Sequence, residues 1–184
     1  VMEPDRIHRL MDVVTESHIR GIRFFDEMMG RQLRHPVGLG CDAGEAISPE
    51  MFREFVVPYY LKIWHAYGGA RGFHNCGQNV HLLDIIRDEL RITSHGGFGS
   101  CVDPVALAEK MSGRVTLRGG PDPYLIQSGD WQEILEVSGR YVEALGRRSG
   151  YILSLGGGAA PGTPVEHFQA MVEASKGLGP MMEA

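Results

Sequence analysis

Five short apolar stretches, each followed by a helix-forming stretch, constrain this chain more than any other feature. They lie at 36–40 ("PVGLG"), 71–75, 91–95, 115–118 and 151–155. After the first, Ser48, Pro49 and Glu50 form a helix start: a capping hydroxyl, a proline at the first helical position and an acid at the positive helix end. That helix is expected to reach about residue 67 and to kink or restart at Pro58, which cannot donate inside a helix. Further helices are expected over "NVHLLDIIRDE", over "DPVALAEKM" with Asp103 as cap, and over 130–148. A last one is expected from 163, with Asp130/Glu133 and Thr163/Glu166 in capping-box places. Before all of these, residues 4–29 repeat Ile7, Leu10, Met11, Val14, Ile22, Phe25 and Met29 at helical spacing.

Strand–helix alternation of this kind demands a parallel sheet with helices packed on it. The strands lack clean period-2 alternation, which predicts burial on both faces. An open doubly wound sheet and a part of a (β/α)8 barrel both satisfy the pattern, and in both function gathers at the strand ends. With 184 residues, 43% of them hydrophobic, the chain suits one domain spanning 1–184. A net charge of −5 without a Lys/Arg-rich run argues against nucleic acid, and no apolar run approaches a membrane span. Three cysteines, Cys41, Cys76 and Cys101, do not form a secreted disulfide framework, so a reduced cytoplasmic setting is expected.

The strand ends carry the chemistry. In "GFHNCGQN" (72–79), residues i and i+2 of a strand point the same way, so His74 and Cys76 can share one pocket with Asn75 turned aside. Imidazole and thiolate are both zinc ligands, and a catalytic zinc needs a third. Cys41, Asp42 and Glu45 from the preceding strand end, and His95 and Cys101 from the following one, are able donors. The plain alternative is a hydrogen-bonded core histidine beside a small buried thiol. At "GGPD", Gly119 and Gly120 would permit close backbone approach by a ligand; a tight turn with Asp122 as a local cap explains the same residues. "LGGGAAPGTP" (155–164) lacks the endings and spacing of nucleotide-binding loops.

Taken together, "AGEAISPEMFREFVVPYYLKIW" (43–64), "FHNCG" (73–77), "VDPVALAEKM" (102–111), "VTLRGGPDP" (115–123) and "GYILSLGGGAAPGTPVEHFQAMVEA" (150–174) resemble the uroporphyrinogen decarboxylase superfamily. The resemblance covers most of residues 36–175 and implies a partial (β/α)8 barrel of about five parallel strands, matching the C-terminal part of a longer fold. His-x-Cys-Gly is similar to the zinc- and corrinoid-dependent methyltransferase branch. It implies His74 and Cys76 as metal ligands, zinc as cofactor, a corrinoid on a partner protein, and a thiol or related small-molecule acceptor. That branch places a third cysteine where this chain has Gly157, and the decarboxylases place a histidine there; a serine of the decarboxylases corresponds to Cys41. A substitute ligand from Cys41, Asp42 or Glu45 is therefore expected, with Gly119, Gly120 and Gly157 as pocket backbone. A metal-free decarboxylase-like enzyme and a non-catalytic, partner-dependent barrel segment are the competing expectations. Five strands cannot close a barrel of eight, so a second copy, a partner chain or the N-terminal helix is expected to cover the open edge.

Overall fold

A computed structural model describes residues 3–31, 35–148 and 150–178. Its sheet has five strands: β1 (Val37–Gly40), β2 (Arg71–His74), β3 (Ser94–Gly96), β4 (Thr116–Gly119) and β5 (Tyr151–Leu153). They lie side by side in chain order, and every neighbouring pair is parallel. A doubly wound sheet reverses its strand order partway along. The unbroken order found here is that of a barrel segment, so the expectation of an α/β, partial TIM-type barrel holds and the sheet is not closed.

The helices are α1 (Pro4–Met28), α2 (Pro49–Phe55), α3 (Val57–Tyr67), α4 (Leu83–Asp88), α5 (Pro104–Met111), α6 (Pro123–Ser128), α7 (Trp131–Leu145) and α8 (Val165–Ser175). Their starts follow local chemistry. Ser48, Asp103, Asp122 and Asp130 each accept a backbone N–H from the first turn of α2, α5, α6 and α7. The expected break at Pro58 separates α2 from α3, where proline falls in the first turn. Two local expectations need correction and one element needs adding. Strand β3 starts at Ser94, because Arg91 takes a left-handed backbone, φ 54°, that an extended run from 91 cannot contain. Residues 123–128, given no element from the sequence, form α6, with Asp122 as its cap. Pro164, not Thr163, caps α8, and Thr163 Oγ1 donates instead to the Ala160 carbonyl, so no capping box forms there.

One face of the sheet is packed by helices. Leu39, Phe73, His95 and Leu117 share a row through the register and are all buried. They join Phe52, Trp64, Tyr67, Leu82, Ile86, Leu107, Met111 and Leu145 in the main core. A smaller cluster of Ile126, Ile134, Ala170 and Met171 seats α8. The other face is open: burial alternates strictly along β1 and β4. This corrects the expectation of burial on both faces. Its rows are Gly38, Gly72, Ser94 and Thr116, then Gly40 beside His74 and Gly96 beside Arg118 and Ile152. These glycines and small hydroxyls blur the period-2 signal in the sequence, because an exposed glycine reads as neither polar nor apolar.

Helix α1 packs on α3 through tyrosines. Tyr67 donates to the Ile19 carbonyl at 2.6 Å, and the Tyr59 hydroxyl pairs with His8 Nδ1 at 2.7 Å. Yet only Thr15, Ile19 and Asp26 of α1 are buried. Leu10, Val14 and Phe25, counted by periodicity toward the packed side, are more than half exposed.

Candidate metal centre at the strand ends

The end of β2 delivers His74 to the open face, beside Gly40 of β1. Glycines make the room. At Gly97, with φ 64°, a Cβ would fall 2.6 Å from the His74 ring, so only glycine leaves that space. The ring is then fixed from behind: its Nδ1 lies 2.8 Å from the Gly96 carbonyl. A carbonyl only accepts, so Nδ1 carries the proton and the Nε2 lone pair points into the cleft.

Two groups meet that lone pair. Cys76 Sγ is 3.0 Å from Nε2, and Asp42 Oδ1 is 3.1 Å from it. The three ligand atoms of Asp42, His74 and Cys76 lie within 4.8 Å of one another. Asp42 is carried there by a short 3₁₀ turn, Asp42–Ala46, directly after β1. The turn is held by the next strand's loop: Cys41 N–H donates to the His74 carbonyl at 2.9 Å, and the Asn75 amide donates to the Cys41 carbonyl. Asn75 is buried, turned away from the cleft as period-2 geometry expects, and its carbonyl is held by Asn79 at 2.8 Å.

The donor set fits a zinc ion. Bond lengths of roughly 2.1 and 2.3 Å at a tetrahedral centre put neighbouring ligand atoms about 3.5 Å apart. The two separations of 3.0 and 3.1 Å are close to that. An imidazole lone pair facing a carboxylate oxygen is favourable only with a proton or a cation between them. Burial, then the negative charge and hydrogen bonding of Asp42, push the Cys76 thiol up, so without a cation it stays protonated at neutral pH.

The other expected site residues fall elsewhere. Cys41 is half-buried behind the turn, its thiol pushed up mainly by burial. Glu45 accepts the Gln78 N–H at 2.9 Å and packs on Gly77, so it braces the His74–Cys76 loop. His95 lies on the packed face between Phe73 and Phe98, with neither ring nitrogen hydrogen-bonded. Cys101 is exposed, and its carbonyl holds Gln78. Gly119 lies against Phe98, Gly120 against the Ser154 carbonyl and Gly157 against Pro123; all three serve as close-packing positions. Sequence reasoning missed Arg118, whose side chain stands on the open face with His74. The available signal was a lone charge inside an otherwise uncharged strand.

Fold and site together define a class: a segment of a (β/α)8-type barrel with a His-x-Cys pair and a carboxylate at its strand ends. The family model described as "Uroporphyrinogen decarboxylase (URO-D)" matches residues 1–178, and the chain belongs to that family. Among curated relatives, the uroporphyrinogen decarboxylase of Cellvibrio japonicus (strain Ueda107) is 29% identical over 183 residues, 94% of this chain and 48% of that protein. That of Acidiphilium cryptum (strain JF-5) is 37% identical over 144 residues, 73% of this chain and 38% of that protein. The chain thus spans about half the length of the first of these relatives. A solved structure, "methyltransferase from Methanosarcina mazei", superposes with a TM-score of 0.59 at 22% identity. It covers 78% of this chain and 42% of the other. At that identity the match speaks to the fold.

Proposed function

We propose that this chain carries the zinc centre of a methyltransferase-like member of the uroporphyrinogen decarboxylase family. In this reading His74 and Cys76 are ligands, Asp42 takes the place that Gly157 leaves vacant, and a corrinoid protein brings the methyl group to a thiol or related acceptor. The single observation that carries the reading is the convergence of Asp42, His74 and Cys76 on one point in the cleft. Zinc held there would supply Lewis acidity, lowering the pKa of a substrate thiol so that it reacts as a thiolate. The chain's own residues do the positioning. Gly96 and Gly97 orient the His74 ring, Asn75 ties the Asp42 turn to the His74 loop, and Glu45 holds Gln78 behind Cys76. The glycine floor beside His74 leaves room for the acceptor.

The curated relatives are uroporphyrinogen decarboxylases, which favours a second reading, a decarboxylase-like enzyme, here taken as working without metal. A third is a non-catalytic, partner-dependent segment. Zinc content separates the first from both. Elemental analysis of zinc-supplemented protein is expected to give near-stoichiometric metal in the wild type and clear loss in Cys76→Ser. Equal zinc in both, or none in the wild type, would overturn the reading. Tetrapyrrole binding in the metal-free protein would favour the second, and absence of both ligands alongside a tightly held partner the third.

A further inference from the structure

The open face of the sheet forms a cavity of about 610 Å³, and two functional side chains reach into it from different strands: His74 and Arg118. We propose that Arg118 is a substrate-binding residue that holds a carboxylate, so that a small organic acid lies across the glycine floor with its other end at the Asp42–His74–Cys76 cluster. The inference rests on that cluster being the reactive centre, and deepens the reading above by naming a substrate class.

Four observations carry it. Arg118 occupies the middle of β4, yet its side chain is exposed because it stands on the open face. It makes no ion pair among the described residues, whose arginine ion pairs use Arg6, Arg20, Arg53, Arg87 and Arg147. A guanidinium is always charged and presents a planar fork of donors matched to a carboxylate. The residue between it and His74 is Gly96: a Cβ there would meet the Arg118 Nη2 at 3.4 Å, while its carbonyl orients His74. The guanidinium therefore lies over Gly96, on the side of the row toward His74, and the glycines beyond it leave the floor open, so one ligand can touch both groups. The backbones of Arg118 and His74 are two strands apart, roughly 10 Å, and the arginine side chain spans part of that distance. The remaining gap suits a small organic acid. The surroundings fit as well. Ser94 and Thr116, paired across β3 and β4, add hydroxyls, and Ile152 of β5, half exposed beside Arg118, offers an apolar side for the ligand body.

The probes are benzoate, its neutral isostere benzamide, and inorganic phosphate, titrated by calorimetry or ligand-observed NMR. Wild type should bind benzoate in preference to benzamide and phosphate. Arg118→Gln should weaken benzoate by roughly tenfold to a hundredfold, the worth of one charge-assisted hydrogen-bonded pair. Arg118→Lys should recover only part of it, since a point charge lacks the fork. Zinc content should be unchanged in Arg118→Gln. Cys76→Ser keeps the guanidinium and should keep benzoate binding whatever becomes of the metal, so failure of the metal reading is seen separately. Equal benzoate affinity in wild type and Arg118→Gln, or no benzoate binding in the wild type, would overturn the proposal. Tighter binding of phosphate than of benzoate would overturn the carboxylate assignment.

Discussion

His95 is the central residue of β3, and the strand's pleat turns its imidazole into the core. Burial, and secondarily the neighbouring His74, hold its pKa down to about 4. The unfolded chain takes up a proton near pH 6.5 and the folded chain does not until about 4, so stability is full above 6.5 and falls as pH drops through that window. The loss is on the order of 3 kcal/mol. Denaturant titrations at several pH values should show it, and His95→Leu should flatten that limb while staying as stable as wild type at neutral pH, because no hydrogen bond is lost. An acid limb of unchanged depth in the variant would assign the loss to other groups. The His74–Cys76 pair was legible from spacing, since i and i+2 share a side wherever the chain is extended. Arg118 was not: its neighbour across the sheet is Gly96, and register between strands is invisible in one sequence.

At the scale of elements, the capping chemistry decides where helices begin, and the same rule shows where it fails. Asp130 accepts the Glu133 N–H at 2.8 Å and starts α7. Thr163 and Glu166 have the same spacing, but Thr163 turns to Ala160 and Pro164 becomes the cap, so the motif is spent on a turn. Asp130→Ala should therefore cost about 1 kcal/mol by urea unfolding. Exposed Glu166→Gln should stay within about 0.5 kcal/mol. A Glu166→Gln loss matching that of Asp130→Ala would mean that α8 is capped through its side chain after all. Much of the alternation of strands and helices was legible, because glycine lies at or shortly after the strand ends and Ser48 and Asp103, each with proline behind, and Asp130 open α2, α5 and α7. Helix α6 was not: "PDPYLIQS" carries two prolines that read as turn, yet the second falls in the first turn of the helix, where its missing N–H costs nothing.

For the whole molecule, the unburied surface is the physical problem. One edge of β1 is unpaired among the described residues, and the groove between it and α1 has a volume of about 330 Å³. Along α1 and at its C-cap Met29, Leu10, Val13, Val14, Phe24, Phe25, Met28 and Met29 are exposed, an apolar face in contact with water. Helix α1 lies against α3 and lines that groove without closing it, so the helix alone does not answer the open edge. Burying one such side chain is worth about 1.5–3 kcal/mol, and several together exceed the cost of association. The chain should therefore self-associate through α1 and the β1 edge. Sedimentation velocity over a range of concentrations is expected to show a dimer or larger species that Phe25→Asp, on the exposed side of α1, drives toward monomer. A charged residue there leaves the core and the Tyr67 and Tyr59 contacts untouched, so circular dichroism should be unchanged. A wild-type monomer at every concentration would sink the expectation. An oligomer indifferent to Phe25→Asp would move the interface to the far edge at β5, where Ile152 stands half exposed beside Arg118 and association would close over the acid-binding cavity itself.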